Sequence, residues 1–233
     1  MDEDISNIDL DNIDAETYEY LLELEKSIVL TPEDINDIEE EVSKIDFSDA
    51  DYWNKRYATD EYPFEWYRTW DEILPLIKHY FGNSQRVLNI GCGNSRMPFD
   101  MLSSFKQVYS NDISDVVIEQ MKKEYSDFKE NLMWDTMDCT KMTYDDNYFD
   151  IVFDKGTLDA LLCGDDTLFF NAVKEVSRVL KNNGYFIVIT YGKPEARLKK
   201  FKNTEPKWDI KPYKTISFKG KLVHYIYILQ NVK

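Results

Sequence analysis

The 233-residue sequence predicts an α/β fold: a mostly parallel, seven-stranded sheet with helices on both faces, a C-terminal antiparallel β-hairpin and an acidic helical N-terminal extension. Three observations carry this prediction. From residue 86 onward, short apolar runs alternate with segments of helical period, the pattern that places strands side by side in parallel. The first apolar run, Val87 to Ile90, ends in a glycine turn, Gly91-Cys92-Gly93. The chain closes on two extended runs with no helical segment between them, which reads as a hairpin.

The chain divides into an extension, residues 1–46, and a body, residues 47–233. Charge marks the division. The net charge is −16, yet residues 1–50 hold 18 acidic residues against Lys26 and Lys44, and the remainder balances 26 acids with 26 bases. Residues 1–14 are acidic with isolated Ile and Leu and read as weakly ordered. Tyr18, Leu21, Leu22, Leu24 and Ile28 then recur with a helical period. Thr31-Pro32-Glu33-Asp34 opens a second helix, with Thr as N-cap, Pro in the first turn and acids at the positive dipole end. Ile35, Ile38, Val42 and Ile45 continue it. These apolar stripes need a surface, either the body or a partner.

The body begins with an aromatic segment containing Trp53, Tyr57, Trp66, Tyr67 and Trp70. A helix carrying Ile73, Leu74, Ile77 and Tyr80 leads to Gly82. Strands are expected at 86–91, 107–112, 132–137, 149–154 and 184–190, and helices at 96–104, 114–126, 157–163 and 167–181. Residues 208–217 and 222–232 make the closing hairpin around Gly220.

Composition excludes some classes. No stretch approaches the roughly 18 apolar residues of a membrane span, and the acidic start differs from a signal or transit peptide; the expectation is a soluble, cytoplasmic protein. Cys92, Cys139 and Cys163 are odd in number and scattered, which suits a reducing compartment and no metal site. With His79 and His224 the only histidines, histidine-based metal or triad chemistry is poorly supplied. The acidic extension repels phosphate backbones and disfavours nucleic acid. It serves either as a solvating tail or to steer a basic protein.

The glycine turn points to a nucleoside cofactor. Gly91 and Gly93 allow a tight turn and a close ligand approach, and Asp112 ends the next strand about 20 positions later, where a carboxylate accepts ribose hydroxyls. Dinucleotides and S-adenosylmethionine both use this arrangement. A dinucleotide wants a third glycine, with the helix N-terminus offered to a pyrophosphate. That position holds Arg96, so the spacing favours S-adenosylmethionine over NAD.

At this point the body resembles the eukaryotic methyltransferase-like proteins that methylate lysines of translation elongation factor 1-alpha, members of the class I seven-strand, Rossmann-like methyltransferases. The matching stretches are Tyr52-Trp53-Asn54-Lys55-Arg56-Tyr57, Pro63-Phe64-Glu65-Trp66-Tyr67, Leu88 to Ser95, Thr136-Met137-Asp138, Phe149 to Leu161 and Glu175 to Leu180. The run Asp154-Lys155-Gly156-Thr157-Leu158-Asp159-Ala160 is the most family-specific. The resemblance implies S-adenosylmethionine as cofactor, with Gly91 and Gly93 against its methionine end and Asp112 and Ile113 at the ribose and adenine. It further implies Asp138 and Cys139 at the adenine amino group, Trp53, Tyr57 and Trp66 as an aromatic lid, and Lys155 bordering the cofactor. Aromatic faces attract desolvated cations, which suits a sulfonium. The implied partner is a protein substrate, elongation factor 1-alpha. Two features depart from the pattern: the segment Cys163 to Asp166 is short where some relatives carry an insertion, and the extension lies outside the matched core.

Methyl transfer to nitrogen needs positioning more than covalent catalysis. Asp154 and Asp159, near the fourth strand's exit, are candidates to orient an incoming amine, although Asp159 also reads as a first-turn helix acid. Neither an Asn-Pro-Pro-Tyr nor an Asp-Pro-Pro-Tyr run follows that strand, and a Pro-Cys pair is missing, which disfavours DNA and glutamine methylation. The readings that remain open are a protein-lysine methyltransferase, a small-molecule methyltransferase, and a catalytically silent docking protein. The set Gly91, Gly93, Asp112 and Asp138 argues against the last.

Overall fold

The computed structural model describes residues 47, 49–59, 63–164, 166–218 and 222–233. The expected N-terminal helices and the turn at Gly220 lie outside the described residues. The body is the unit Phe47–Lys233.

Helices α1 (Ala50–Thr59) and α2 (Trp70–Ile77) precede the sheet. Thr69 starts α2 with a reciprocal capping box, its backbone N–H donating to the Glu72 carboxylate at 2.9 Å. Strand β1 (Arg86–Ile90) then leads through the glycine turn to the short helix α3 (Met97–Asp100), followed by β2 (Gln107–Asp112), α4 (Asp115–Glu124) and β3 (Leu132–Thr136). The second half comprises β4 (Phe149–Lys155), α5 (Thr157–Leu162), α6 (Asp166–Val179), β5 (Leu180–Thr190), α7 (Pro194–Lys202), β6 (Trp208–Ile210), β7 (Lys214–Phe218) and β8 (Leu222–Asn231).

The sheet runs β3-β2-β1-β4-β5-β8-β6, with β7 also paired to β8. The pairings β2 to β3, β1 to β2, β1 to β4 and β4 to β5 are parallel, and all pairings to β8 are antiparallel. The predicted α/β class is therefore the observed one. The final edge differs in detail. The single strand expected over 208–217 is two strands, β6 and β7, sharing the edge of β8 and separated by Lys211-Pro212-Tyr213. Pro212 has no N–H to give a ladder, so the strand breaks there.

Two further differences have local causes. Strand β5 begins at Leu180, paired with Phe149, and its register shifts before Tyr185 pairs with Ile151. The polar run Lys181-Asn182-Asn183 bulges out, with Asn183 at φ 62°, and so hides the strand's start. Helix α7 was not expected. Lys193 caps its start in extended conformation with Pro194 in the first turn.

The core has two faces. Leu88, Ile90, Val152, Phe186, Val188 and Tyr227 pack beneath α6, whose Phe169, Ala172, Val173 and Val176 recur at helical spacing. On the opposite face, Phe153 meets Trp70 at 5.6 Å, Phe105 at 6.0 Å and Phe81 at 6.2 Å between ring centroids. At the far end of β8, the Asn231 side chain accepts from Ser177 Oγ at 2.8 Å and donates to the Ser177 carbonyl at 3.0 Å, locking the last strand onto α6.

Phe153 is fully buried among three rings, so Phe153→Ala is expected to cost about 3–5 kcal/mol of stability. Denaturant unfolding would show this as a lowered midpoint at unchanged slope.

Candidate active site

Strand β1 is flanked by β2 on one side and β4 on the other, so the chain order reverses there and a crevice opens at the strands' carboxyl ends. The glycine turn lies in that crevice. Gly91 (φ 55°) and Gly93 (φ 51°) take left-handed conformations that glycine adopts freely. The protein itself fills the space their missing Cβ atoms leave. Thr157 occupies it at Gly91 while donating to the Ile90 carbonyl at 3.0 Å. At Gly93 the Tyr57 hydroxyl lies 2.7 Å from where a Cβ would stand.

Asp112 ends β2 facing this turn. Its Oδ2 accepts the Gly93 N–H at 2.8 Å and its Oδ1 the Ser114 N–H at 3.0 Å. Burial pushes the carboxyl above its ordinary range, opposed by those backbone N–H groups. Each oxygen retains a lone pair for a hydroxyl, and Ile113, half-buried, follows directly. Past β3, Asp138 Oδ1 accepts from Thr140 N and Oγ1 at 2.8 and 2.7 Å. Cys139 is buried beside it, its thiol pushed up by burial and by Asp138, Asp154 and Asp112. The structure thus brings the ends of β1, β2 and β3 together as the sequence reading requires.

The aromatic segment covers the same turn. Helix α1 is fixed on α4 by Ser114 Oγ donating to Asn54 Oδ1 at 2.6 Å and Gln120 Nε2 donating to the Tyr57 carbonyl at 2.8 Å. Trp53 stacks on Tyr57 at 5.8 Å. The Arg56 guanidinium lies 5.7 Å from the Trp53 ring and 5.3 Å from the Trp66 ring. A protein cation therefore already rests against the two indoles assigned to the lid.

Residues 63–68 form a strap across the ends of β1 and β4. Asn94 Oδ1 accepts the Phe64 N–H at 3.2 Å. Glu65 accepts from Ser95 Oγ at 2.9 Å, Arg96 N at 2.6 Å and Lys155 Nζ at 2.6 Å, and Lys155 also donates to the Trp66 carbonyl at 3.0 Å. The Lys155 side chain is only 5% exposed. The Glu65–Lys155 ion pair thus secures the strap over the glycine turn, where the amino-acid end of S-adenosylmethionine would lie. With a carboxylate for the ribose at Asp112, the residues fit that cofactor. Glu65 was visible in the run Pro63 to Tyr67, but nothing in its spacing distinguished it from a surface acid.

The two aspartates proposed to orient an amine are placed otherwise. Asp154 is fully buried on the same face as Ile90, its pairing partner, with Oδ1 accepting the Leu158 N–H at 3.1 Å and Oδ2 left without a hydrogen-bond partner. Burial, then the Asp159 charge, pushes its carboxyl up to about 8. Asp159 is also sealed from solvent. Its Oδ1 accepts from Thr190 Oγ1 at 2.6 Å and pairs with Arg197 Nη2, and its Oδ2 accepts the Tyr67 hydroxyl at 2.9 Å. Burial raises its carboxyl, while Arg197, Thr190 and Tyr67 pull it back. Direct contact with an acceptor therefore does not fit either residue: one is walled in and the other has both oxygens engaged. Arg197, Thr190 and Tyr67 were missed because their partner lies far away in sequence. His224 is buried as well, its imidazole pushed down to about 3 by burial and by Arg68 and Lys155.

Fold and crevice together define an S-adenosylmethionine-dependent methyltransferase of the class I, Rossmann-like type. A family model described as a methyltransferase domain matches residues 82–230, and the chain belongs to that family. Bovine EEF1A lysine methyltransferase 4 is 32% identical over 178 residues, spanning 71% of this chain and 69% of the relative. Human eEF1A lysine and N-terminal methyltransferase is 34% identical over 154 residues, 64% of this chain but only 22% of that longer protein. Among solved structures, the N-methyltransferase NodS from Bradyrhizobium japonicum, in complex with S-adenosyl-l-homocysteine, superposes with a TM-score of 0.61 at 12% identity, covering 79% of this chain and 99% of that one. At that identity the likeness is one of fold.

Asp112→Asn removes a charged acceptor, worth about 1.5–3 kcal/mol. The Kd for S-adenosylhomocysteine is expected to rise about 10- to 100-fold by calorimetry. Asp154 gives a pH signature. Its folded pKa of about 8 lies above the ordinary aspartate value of about 3.9, so its contribution to stability is full below the unfolded pKa and is lost as pH rises through the folded one. Asp154→Asn is therefore expected to gain stability relative to wild type as pH rises from about 4 to about 8, with the difference levelling off above. Urea titrations across that range measure it.

Proposed function

We propose that the protein is a protein-lysine N-methyltransferase acting on an elongation factor 1-alpha-like substrate in the cytoplasm. The observation that carries this reading is the match to EEF1A lysine methyltransferase 4 over 71% of the chain, far more than the glycine turn shared by all enzymes of this fold. The family-specific run supports it: Lys155, Thr157 and Asp159 tie the turn, the strap and the end of β5 together.

When bound, the cofactor supplies a methyl group on an electrophilic sulfonium. Asp112 would hold the ribose and the glycine turn would take the amino-acid end, with the Glu65–Lys155 pair holding the strap that excludes water. An acceptor nitrogen that takes the methyl group would release its extra proton to water. An ordinary lysine has a pKa of about 10.4 and must arrive neutral. Desolvation in the crevice favours that neutral form. Alignment of the two partners supplies the rest.

Incubating the protein with methyl-labelled S-adenosylmethionine and a methyltransferase-depleted lysate of its own source is expected to label a protein of elongation factor 1-alpha size, with the label on lysine. Label appearing only in small molecules, with calorimetric cofactor binding intact, would overturn the substrate class.

A further inference from the structure

We propose that Asp159 and Arg197 are positioning residues that clamp an aromatic corner, made by Tyr67, Tyr191 and His224, in which the methyl-accepting alkyl amine sits. The length of the amine arm rests on the lysine reading above.

The location follows from what the other strands hold. On the reading above, Asp112 after β2 and Cys139 after β3 take the nucleoside on that side of the crevice, and the glycine turn takes the amino-acid end between β1 and β4. The approach left for an acceptor is over the ends of β4 and β5. Gly156 follows β4, Tyr191 follows β5, and His224 lies at the start of β8 beside them. The Tyr67 ring lies 3.4 Å from where a Gly156 Cβ would stand, 4.9 Å from the His224 ring and 6.2 Å from the Tyr191 ring. Tyr67 and His224 are buried and Tyr191 is half-buried, so Tyr191 is the ring of the corner nearest to solvent.

Tyr67 is held at a cost. Its φ of 60° is left-handed, rare for a bulky residue, and such strain persists only where the surroundings impose it. The Arg68 N–H closes a tight turn across Tyr67 onto the Trp66 carbonyl at 2.7 Å, and Asp159 holds the phenol hydroxyl at 2.9 Å. One carboxylate thus anchors the Tyr67 ring. Arg197 completes the clamp by filling the space that the missing Cβ of Gly192 leaves. A buried ion pair is weak evidence for stability, and a helix needs no such acid. The geometry instead fixes ring faces against which the methylenes of a lysine arm pack. Asp159 with Arg197 lies behind Tyr67, so the arm meets ring faces.

The test uses an analogue of S-adenosylhomocysteine whose sulfur is replaced by nitrogen carrying a four-carbon aminoalkyl arm. Calorimetry on the full chain is expected to show wild type binding it about 10-fold tighter than S-adenosylhomocysteine, a gain of about 1.4 kcal/mol. Tyr191→Ala, which removes the half-buried ring of the corner and leaves the strap and the Tyr67 hydroxyl in place, is expected to keep S-adenosylhomocysteine affinity within about twofold and lose most of that gain. On the labelled protein substrate the same variant is expected to lower kcat more than it changes the cofactor KM. Equal wild-type affinity for the two ligands would overturn the proposal, as would a gain retained in Tyr191→Ala. Equal loss of both affinities in the variant would also overturn it, by placing Tyr191 in the cofactor site. Since the probe brings its own amine, these outcomes are independent of whether elongation factor is the substrate.

Discussion

The arrangement of this crevice depends on one carboxylate that water does not reach. Asp159 is 1% exposed, and a charge so placed costs several kcal/mol unless its partners are excellent. It draws them from three distant parts of the chain: Tyr67 of the strap, Thr190 at the end of β5 and Arg197 in α7. Satisfying Asp159 seats the strap, the seated strap places Glu65 against Ser95 and Arg96, and Glu65 in turn braces the glycine turn. The order of dependence runs from a buried charge outward to the cofactor crevice.

The first turn of α5 links the two halves of the site mechanically. Thr157 packs against Gly91, and Asp159, two residues on, holds Tyr67. Gly156, at φ 88°, permits the sharp passage from β4 into this helix that aims both side chains correctly. A movement on the cofactor side therefore cannot leave the acceptor side unaltered. Interiors are close-packed and pass displacements on. Within the run Asp154 to Ala160, three side chains hold three different parts: Lys155 the strap, Thr157 the glycine turn and Asp159 the end of β5.

What could be read in the sequence followed the range of the forces involved. Apolar runs and helical periods gave β1 to β4 and α4 to α6 within a residue or two, because burial in a parallel sheet leaves a local signature. Gly91, Gly93 and Asp112 were legible because they lie on adjacent strand ends at a recurrent spacing. The start of β5 was hidden by Lys181-Asn182-Asn183, a polar bulge inside a strand. Helix α7 was hidden by its lysines and a buried Arg197, since its single-turn apolar contacts through Phe201 leave no stripe. Long-range pairings escaped entirely: nothing about Glu65 announces Lys155, 90 residues away, and nothing about Asp159 announces Arg197. The burial and internal partners of Asp154 and Asp159 were hidden for the same cause, because sequence shows that a carboxylate exists but not what surrounds it.

The divided outer edge of the sheet has a bearing on solubility. An exposed strand offers unpaired N–H and C=O groups to any passing chain, and long flat edges invite end-to-end association. Here the rim beyond β8 consists of a three-residue and a five-residue strand interrupted at Pro212, with Lys211 and Lys214 flanking the gap. Neither piece is long enough to template a foreign strand, and the lysines would have to be desolvated to try. The irregularity that divides the closing hairpin thus shortens the edge that this side of the sheet presents.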